Sequence, residues 1–96
     1  MKLRYTSEAL EELQRLLSDL AVRSPQAAQV VRSRIRTTAR LLTEHSLSGR
    51  QTSRRSLRRI VVAPYPYLIF YEARDDEVII VAIRHAARNP TSMPDA

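Results

Sequence analysis

A chain of 96 residues without cysteine has room for one modest core and no second domain, and it can form neither a disulfide nor a thiolate metal site. The stretch MKLRYTSEALEEL lacks an apolar leader, and no apolar run approaches the roughly 18 residues that cross a bilayer, so a soluble, cytoplasmic protein is expected. The net charge of +6 excludes little by its size, but its placement is uneven.

In chain order, Met1 to Tyr5 alternates Leu3 and Tyr5 with Lys2 and Arg4 and reads as a brief half-buried strand. Thr6 or Ser7 can cap the helix that follows, and Glu8, Glu11 and Glu12 lie at its start, where negative charge complements the macrodipole. Leu10, Leu13, Leu16, Leu17 and Leu20 recur at helical spacing as one apolar stripe, expected in the core. Ser24 and Pro25 mark a second helix, with Ser24 as N-cap and Pro25 at the first helical position. Ala28, Val31, Ile35, Ala39 and Leu42 keep its period to about Glu44, while Arg32, Arg34, Arg36 and Arg40 cover the other faces. A connection of about three residues favours an antiparallel helical hairpin.

Residues 45–57 form the one long loop. It holds the only glycine, four serines and Arg50, Arg54 and Arg55, with no acidic residue. Residues 23–71 as a whole carry ten arginines against Glu44 alone, a balance of +9 that suits nucleic acid or the acidic face of a protein. After the loop, three apolar runs, Arg58 to Ala63, Tyr67 to Ala73 and Val78 to Arg84, are separated by Pro64-Tyr65-Pro66 and by the polar Arg74-Asp75-Asp76-Glu77. They read as a three-stranded antiparallel meander whose exit carries Arg84, His85 and Arg88. Residues 91–96 are expected to be a flexible tail. Because the runs IVV, YLIFY and VIIVAI are apolar without alternation, both sheet faces are expected to be apolar, and the face away from the helices is expected to await a partner.

This order of elements, with PYPYLIFYE on the central strand of the meander and VAIRHAARNP at its end, resembles the RelE/ParE superfamily of toxins from bacterial toxin–antitoxin pairs over roughly residues 2–90. The ParE branch is the nearer one. The resemblance implies one α+β domain over residues 1–90, a helical hairpin on an antiparallel sheet. It also implies a toxin neutralised by a cognate, ParD-like antitoxin in a hetero-oligomer. ParE-branch members poison DNA gyrase and block replication, whereas RelE members cut messenger RNA on the ribosome.

The two activities ask for different side chains. Cleavage of RNA needs a proton acceptor, a proton donor and cations on the phosphorane, and arginine is a poor base because its pKa is too high. The basic loop and the strand after it hold no lysine. The ribonuclease alternative would have to use His85 as base, Tyr71 or Tyr67 as hydroxyl donor, and Arg59, Arg84 and Arg88 on phosphate. The expectation is therefore binding rather than catalysis, with Arg58, Arg59, Tyr67 and Tyr71 joining Arg84, His85 and Arg88 as the antitoxin- or target-binding set, and DNA met only indirectly. No cofactor is expected, and the two histidines lack the spacing of metal ligands.

Overall fold

The computed structural model describes residues 1–96. Its elements are β1 (Lys2–Tyr5), α1 (Ser7–Arg23), α2 (Pro25–Glu44), β2 (Arg50–Gln51), β3 (Arg58–Val61), β4 (Tyr67–Ala73) and β5 (Glu77–His85), followed by a short 3-10 turn (Pro90–Ser92). Two helices cover one face of a five-stranded sheet of order β1-β5-β4-β3-β2. The meander β3-β4-β5 is antiparallel, as its turn signals imply. The sheet as a whole is mixed, because β1 lies parallel to β5, and it gains one member, the two-residue β2 folded out of the basic loop.

Local chemistry sets the helix limits. The Thr6 hydroxyl accepts the Ala9 amide at 3.1 Å and opens α1. Ser24 then serves both helices. Its amide donates to the Leu20 carbonyl at 2.8 Å, and its hydroxyl accepts the Ala27 amide at 3.1 Å, so the hairpin turns on one residue rather than about three. Extended backbone at Ser24 (φ −159°) followed by Pro25 supplies the whole reversal.

The face of α2 foreseen from its period, Ala28, Val31, Ile35, Ala39 and Leu42, is buried throughout. In α1 the stripe is displaced by one residue at its start. Ala9 is fully buried, Leu13, Leu16, Leu17 and Leu20 continue the line, and Leu10 is left exposed. Ala9 satisfies the same spacing as Leu10, and the core takes the smaller side chain.

The unbroken apolar runs have a specific cause. Between the pairs Phe70↔Ala82 and Tyr71↔Ile80, Val81 is left over as a bulge on β5, and the inside-outside alternation changes phase there. Val78 and Ile80 face the helices before it and Ile83 after it, while Ala82 joins Leu68 and Phe70 on the other face. That second face is not open for a partner, as the run of apolar residues suggested. Leu57 from the loop closes over it with Leu68, Phe70 and Ala82, and Met93 packs against them. The Ser53 hydroxyl and Arg54 Nη1 donate to the carbonyls of Asp95 and Pro94 at 2.8 and 3.0 Å, so the terminal segment expected to be loose has contacts of its own. A small sheet can be apolar on both sides when side chains from a loop and a tail, here Leu57 and Met93, cover the second.

Tyr71 joins the sheet to the start of the basic loop. Its ring is fully buried, its hydroxyl donates to the Ser46 carbonyl at 2.8 Å, and it accepts the Gly49 amide at 2.8 Å. A Cβ on Gly49 would lie 2.5 Å from that hydroxyl oxygen, so the approach requires glycine. Burial raises the Tyr71 pKa above its ordinary 10.0, against smaller opposing effects of the Gly49 amide and the Arg58 cation.

Tyr71→Phe, which leaves the Gly49 amide and the Ser46 carbonyl without their partner, is expected to lower the unfolding free energy by about 1–3 kcal/mol in denaturant titration. The raised tyrosine pKa also sets a sign. The unfolded chain loses this proton near pH 10 while the folded chain retains it, so stability is complete below pH 10 and falls as pH rises beyond. Unfolding midpoints measured from pH 8 to 11 should fall less steeply above pH 10 in Tyr71→Phe than in the parent.

Candidate functional site

Two irregularities of β5 build the site. The bulge at Val81 turns His85 to the same face as Ile83, the face that looks toward α1. In addition, β1 accompanies β5 only from Glu77 to Ile80, so the last part of β5, paired with β4 on one side, has no strand on the other. Side chains of the α1 region take over this bare edge. Thr6 Oγ1 donates to the Val81 carbonyl at 3.4 Å, and Glu12 Oε1 accepts the Ile83 amide at 3.0 Å. The other oxygen of Glu12 pairs with Nη1 of Arg84. The Cα of Arg84 is opposite Leu68, yet its guanidinium reaches α1, which the open edge permits.

Between α1 and the end of β5 runs a groove of about 550 Å³. Its floor is apolar, made by Leu16, Leu20, Tyr67 and Ile83. Arg15, Asp19 and Arg23, spaced four apart on α1, form one rim, and Arg84, His85 and Arg88 form the other. Tyr67 and His85 meet edge to face with ring centroids 5.5 Å apart. His85 also shapes the strand exit: its Nδ1 accepts the Ala87 amide at 3.0 Å, and its carbonyl accepts the Arg88 amide at 3.0 Å.

The groove is electropositive, with Arg84 half-buried and Arg15, Arg23 and Arg88 exposed. Arg15, Arg23, Arg84 and Arg88 face only Glu12 and Asp19, and the Glu12 carboxylate is already engaged. Burial, reinforced by the neighbouring Arg88 cation and opposed by Glu8, lowers the Arg84 pKa from its usual value. Arginine nevertheless keeps its proton, and the Glu12 carboxylate is its counter-charge.

The residues expected to form one binding set divide into three places. Tyr67, Arg84, His85 and Arg88 share the groove. Arg58 and Tyr71 hold the Gly49 loop, with Arg58 Nη1 donating to the Gly49 carbonyl at 2.9 Å. Arg59 stands across from Phe70, and with exposed Arg50, Arg54 and Arg55 it belongs to the β2-β3 edge of the sheet. Two strand spacings, roughly 10 Å, separate β3 from β5. Glu12, read from the sequence only as complementing the α1 macrodipole, and Arg15, Asp19 and Arg23, given no role there, are also groove residues. Only the fourfold spacing of Arg15, Asp19 and Arg23 marked them as sharing one side of α1.

A family model described as the ParE toxin of type II toxin–antitoxin systems, parDE, matches residues 3–90. The chain belongs to the ParE toxin family. Among curated relatives of this ParE-family chain, Toxin RelE2 of Caulobacter vibrioides is 42% identical over 84 residues, which span 88% of this chain and 93% of that protein. A relative from Sinorhizobium fredii is 35% identical over 85 residues, 88% of each chain. Of solved structures, one described as the chromosomal ParDE TA system from P. aeruginosa superposes with a TM-score of 0.77 over 88% of this chain and 95% of its own, at 19% identity, and shares the fold.

The Glu12 contacts make this ParE-family groove part of the fold's own stability. Glu12→Ala removes the acceptor of the Ile83 amide and leaves Arg84 partly buried without its counter-charge, and it is expected to lower the unfolding free energy by about 1–3 kcal/mol. Glu12→Gln keeps an acceptor for the amide and should lose less. Combining Glu12→Ala with Arg84→Met should recover part of the loss in a double-mutant cycle of denaturation midpoints.

Proposed function

We propose that this ParE-family toxin acts in the cytoplasm by binding DNA gyrase and blocking replication, and that a cognate antitoxin holds it inactive by occupying the groove between α1 and β5. The observation that carries the reading is the make-up of the groove: Tyr67, Arg84, His85 and Arg88 share it, but Tyr71 and Arg59, the other groups a ribonuclease would draw on, do not. The Tyr71 hydroxyl is buried and doubly bonded to its own chain, Arg59 lies about two strands from His85, and the His85 imidazole is engaged with the Ala87 amide. What remains together in the groove is an apolar floor with four arginines, which suits recognition of a polypeptide better than proton transfer.

A second reading, ribosome-dependent cleavage of messenger RNA, draws on one fact, the 42% identity to a relative named Toxin RelE2. Expression of the toxin alone in a bacterial host separates the two. On the gyrase reading, DNA synthesis stops within minutes and gyrase-linked double-strand breaks accumulate before protein synthesis declines. Early loss of protein synthesis with cut messenger RNA would reject it and return His85 to a catalytic role. Arg84→Ala combined with Arg88→Ala is expected to reduce growth arrest or antitoxin affinity at least tenfold, read by plating efficiency and by titration calorimetry. Wild-type behaviour in both assays would remove these arginines from the interface.

A further inference from the structure

The basic residues that take no part in the groove gather at the other end of the sheet. β2 and β3 form a hairpin in which Arg50 pairs with Arg59, so two cations stand directly opposite each other, about 5 Å apart at Cβ. Like charges in that arrangement destabilise the free protein. Arg59 is also opposite Phe70, which puts the pair on the sheet face away from the helices. The turn between the strands adds Arg54 and Arg55, both exposed. Its own bonds hold it in shape: the Thr52 amide donates to the Leu57 carbonyl at 3.1 Å, and the Leu57 amide donates to the Arg54 carbonyl at 2.9 Å. None of the four arginines has a carboxylate partner, since the chain's three ion pairs lie elsewhere. Arg54 Nη1 reaches only the neutral Pro94 carbonyl, and Asp95, whose carbonyl accepts the Ser53 hydroxyl, forms no ion pair with any of them.

We propose that this hairpin, through Arg50, Arg54, Arg55 and Arg59, binds the phosphate backbone of duplex DNA directly and without regard to base sequence. The composition of the surface selects the partner. From Arg50 to Arg59 there is no acidic and no aromatic residue, and the one apolar residue, Leu57, is buried against Leu68 and Phe70. A protein interface is built around an apolar centre, which this surface lacks. Single-stranded nucleic acid is held by stacking its bases on aromatic rings, and the hairpin offers none. What exposed guanidinium groups meet well is a dense row of phosphates, and duplex DNA carries one negative charge per about 1.7 Å of its axis. Because the turn is already closed by its own hydrogen bonds, little ordering opposes the contact. The sequence alone pointed to DNA met only indirectly; the hairpin makes the contact direct, and it does not depend on gyrase being the target.

The test is a titration of full-length toxin into a short, fluorescently labelled DNA duplex of mixed sequence, with anisotropy followed from about 50 to 200 mM salt. Four phosphate contacts make log K fall against log salt with a slope of about −3.6. Arg50→Gln, Arg55→Gln and Arg59→Gln together remove three of the four cations, at side chains that donate no hydrogen bond within the chain, unlike Arg54 and Arg58. This variant should bring the slope to about −0.9 and weaken binding roughly tenfold or more at the lower salt. A charge-matched control on α2, Arg32→Gln with Arg36→Gln and Arg40→Gln, should leave the slope nearly unchanged. An equal loss in the control overturns the site, because binding then follows net charge alone. So does an unaltered slope in the hairpin variant, or no binding by the parent protein. Tighter binding to single-stranded RNA, or displacement of the duplex by poly-glutamate at equal charge, overturns the choice of partner. Should the triple variant fail to fold, Arg50→Gln and Arg55→Gln taken singly at their exposed positions decide the matter, each lowering the slope by about 0.9.

Discussion

The carboxylate of Glu12 stands where a strand would otherwise be. β1 is four residues long and pairs with β5 only as far as Ile80, so the backbone beyond has to find its partners elsewhere. A bare edge amide in a partly buried position is unfavourable by about 1–3 kcal/mol, and Glu12 answers it from α1. That single side chain ties the first helix to the last strand, closes the core at Ile83 and orients Arg84. The groove exists because the edge was completed by a side chain: a longer β1 would have filled the space that Leu16, Leu20 and the arginines now line.

The two ends of the sheet carry different kinds of positive charge. At the β5 end the arginines surround an apolar hollow, and Arg84 is partly buried and fixed in orientation. At the β2-β3 end, Arg50, Arg54 and Arg55 are exposed, and Arg54 braces the C-terminal segment over Leu68 and Phe70. Net charge alone does not separate these cases. A mobile surface arginine adds long-range attraction that salt screens within about 8–10 Å, whereas an oriented and desolvated one selects a partner by geometry.

Tyr71 illustrates how a residue changes meaning once its surroundings are visible. By type it was a candidate hydroxyl donor, but its oxygen is held between Ser46 and Gly49, and it serves to tether the loop that leads into β2. Tyr67, four residues earlier on the same strand and the same face, is the tyrosine that reaches the groove, because it lies opposite His85 at the strand's other end. The helix caps at Thr6 and Ser24, the buried face of α2, the prolines before β4 and the polar turn before β5 were all readable, since each is written in contiguous residues of the right type or spacing.

What the sequence by itself determined is therefore the order of elements, the helical hairpin, the antiparallel meander and the grouping of Arg84, His85 and Arg88 at its exit, all consequences of local propensity and period. Tertiary structure alone decided the rest. The parallel pairing of β1, the phase change at Val81 and the covering of the second face by Leu57 and Met93 depend on contacts between segments far apart in the chain. So does the role of Glu12, which is one of three glutamates in the first two turns of α1 and is distinguished from Glu8 and Glu11 only by facing the unpaired amide of Ile83, 71 residues away. Periodicity records which side of an element is buried; it carries no record of which distant backbone group that side will meet.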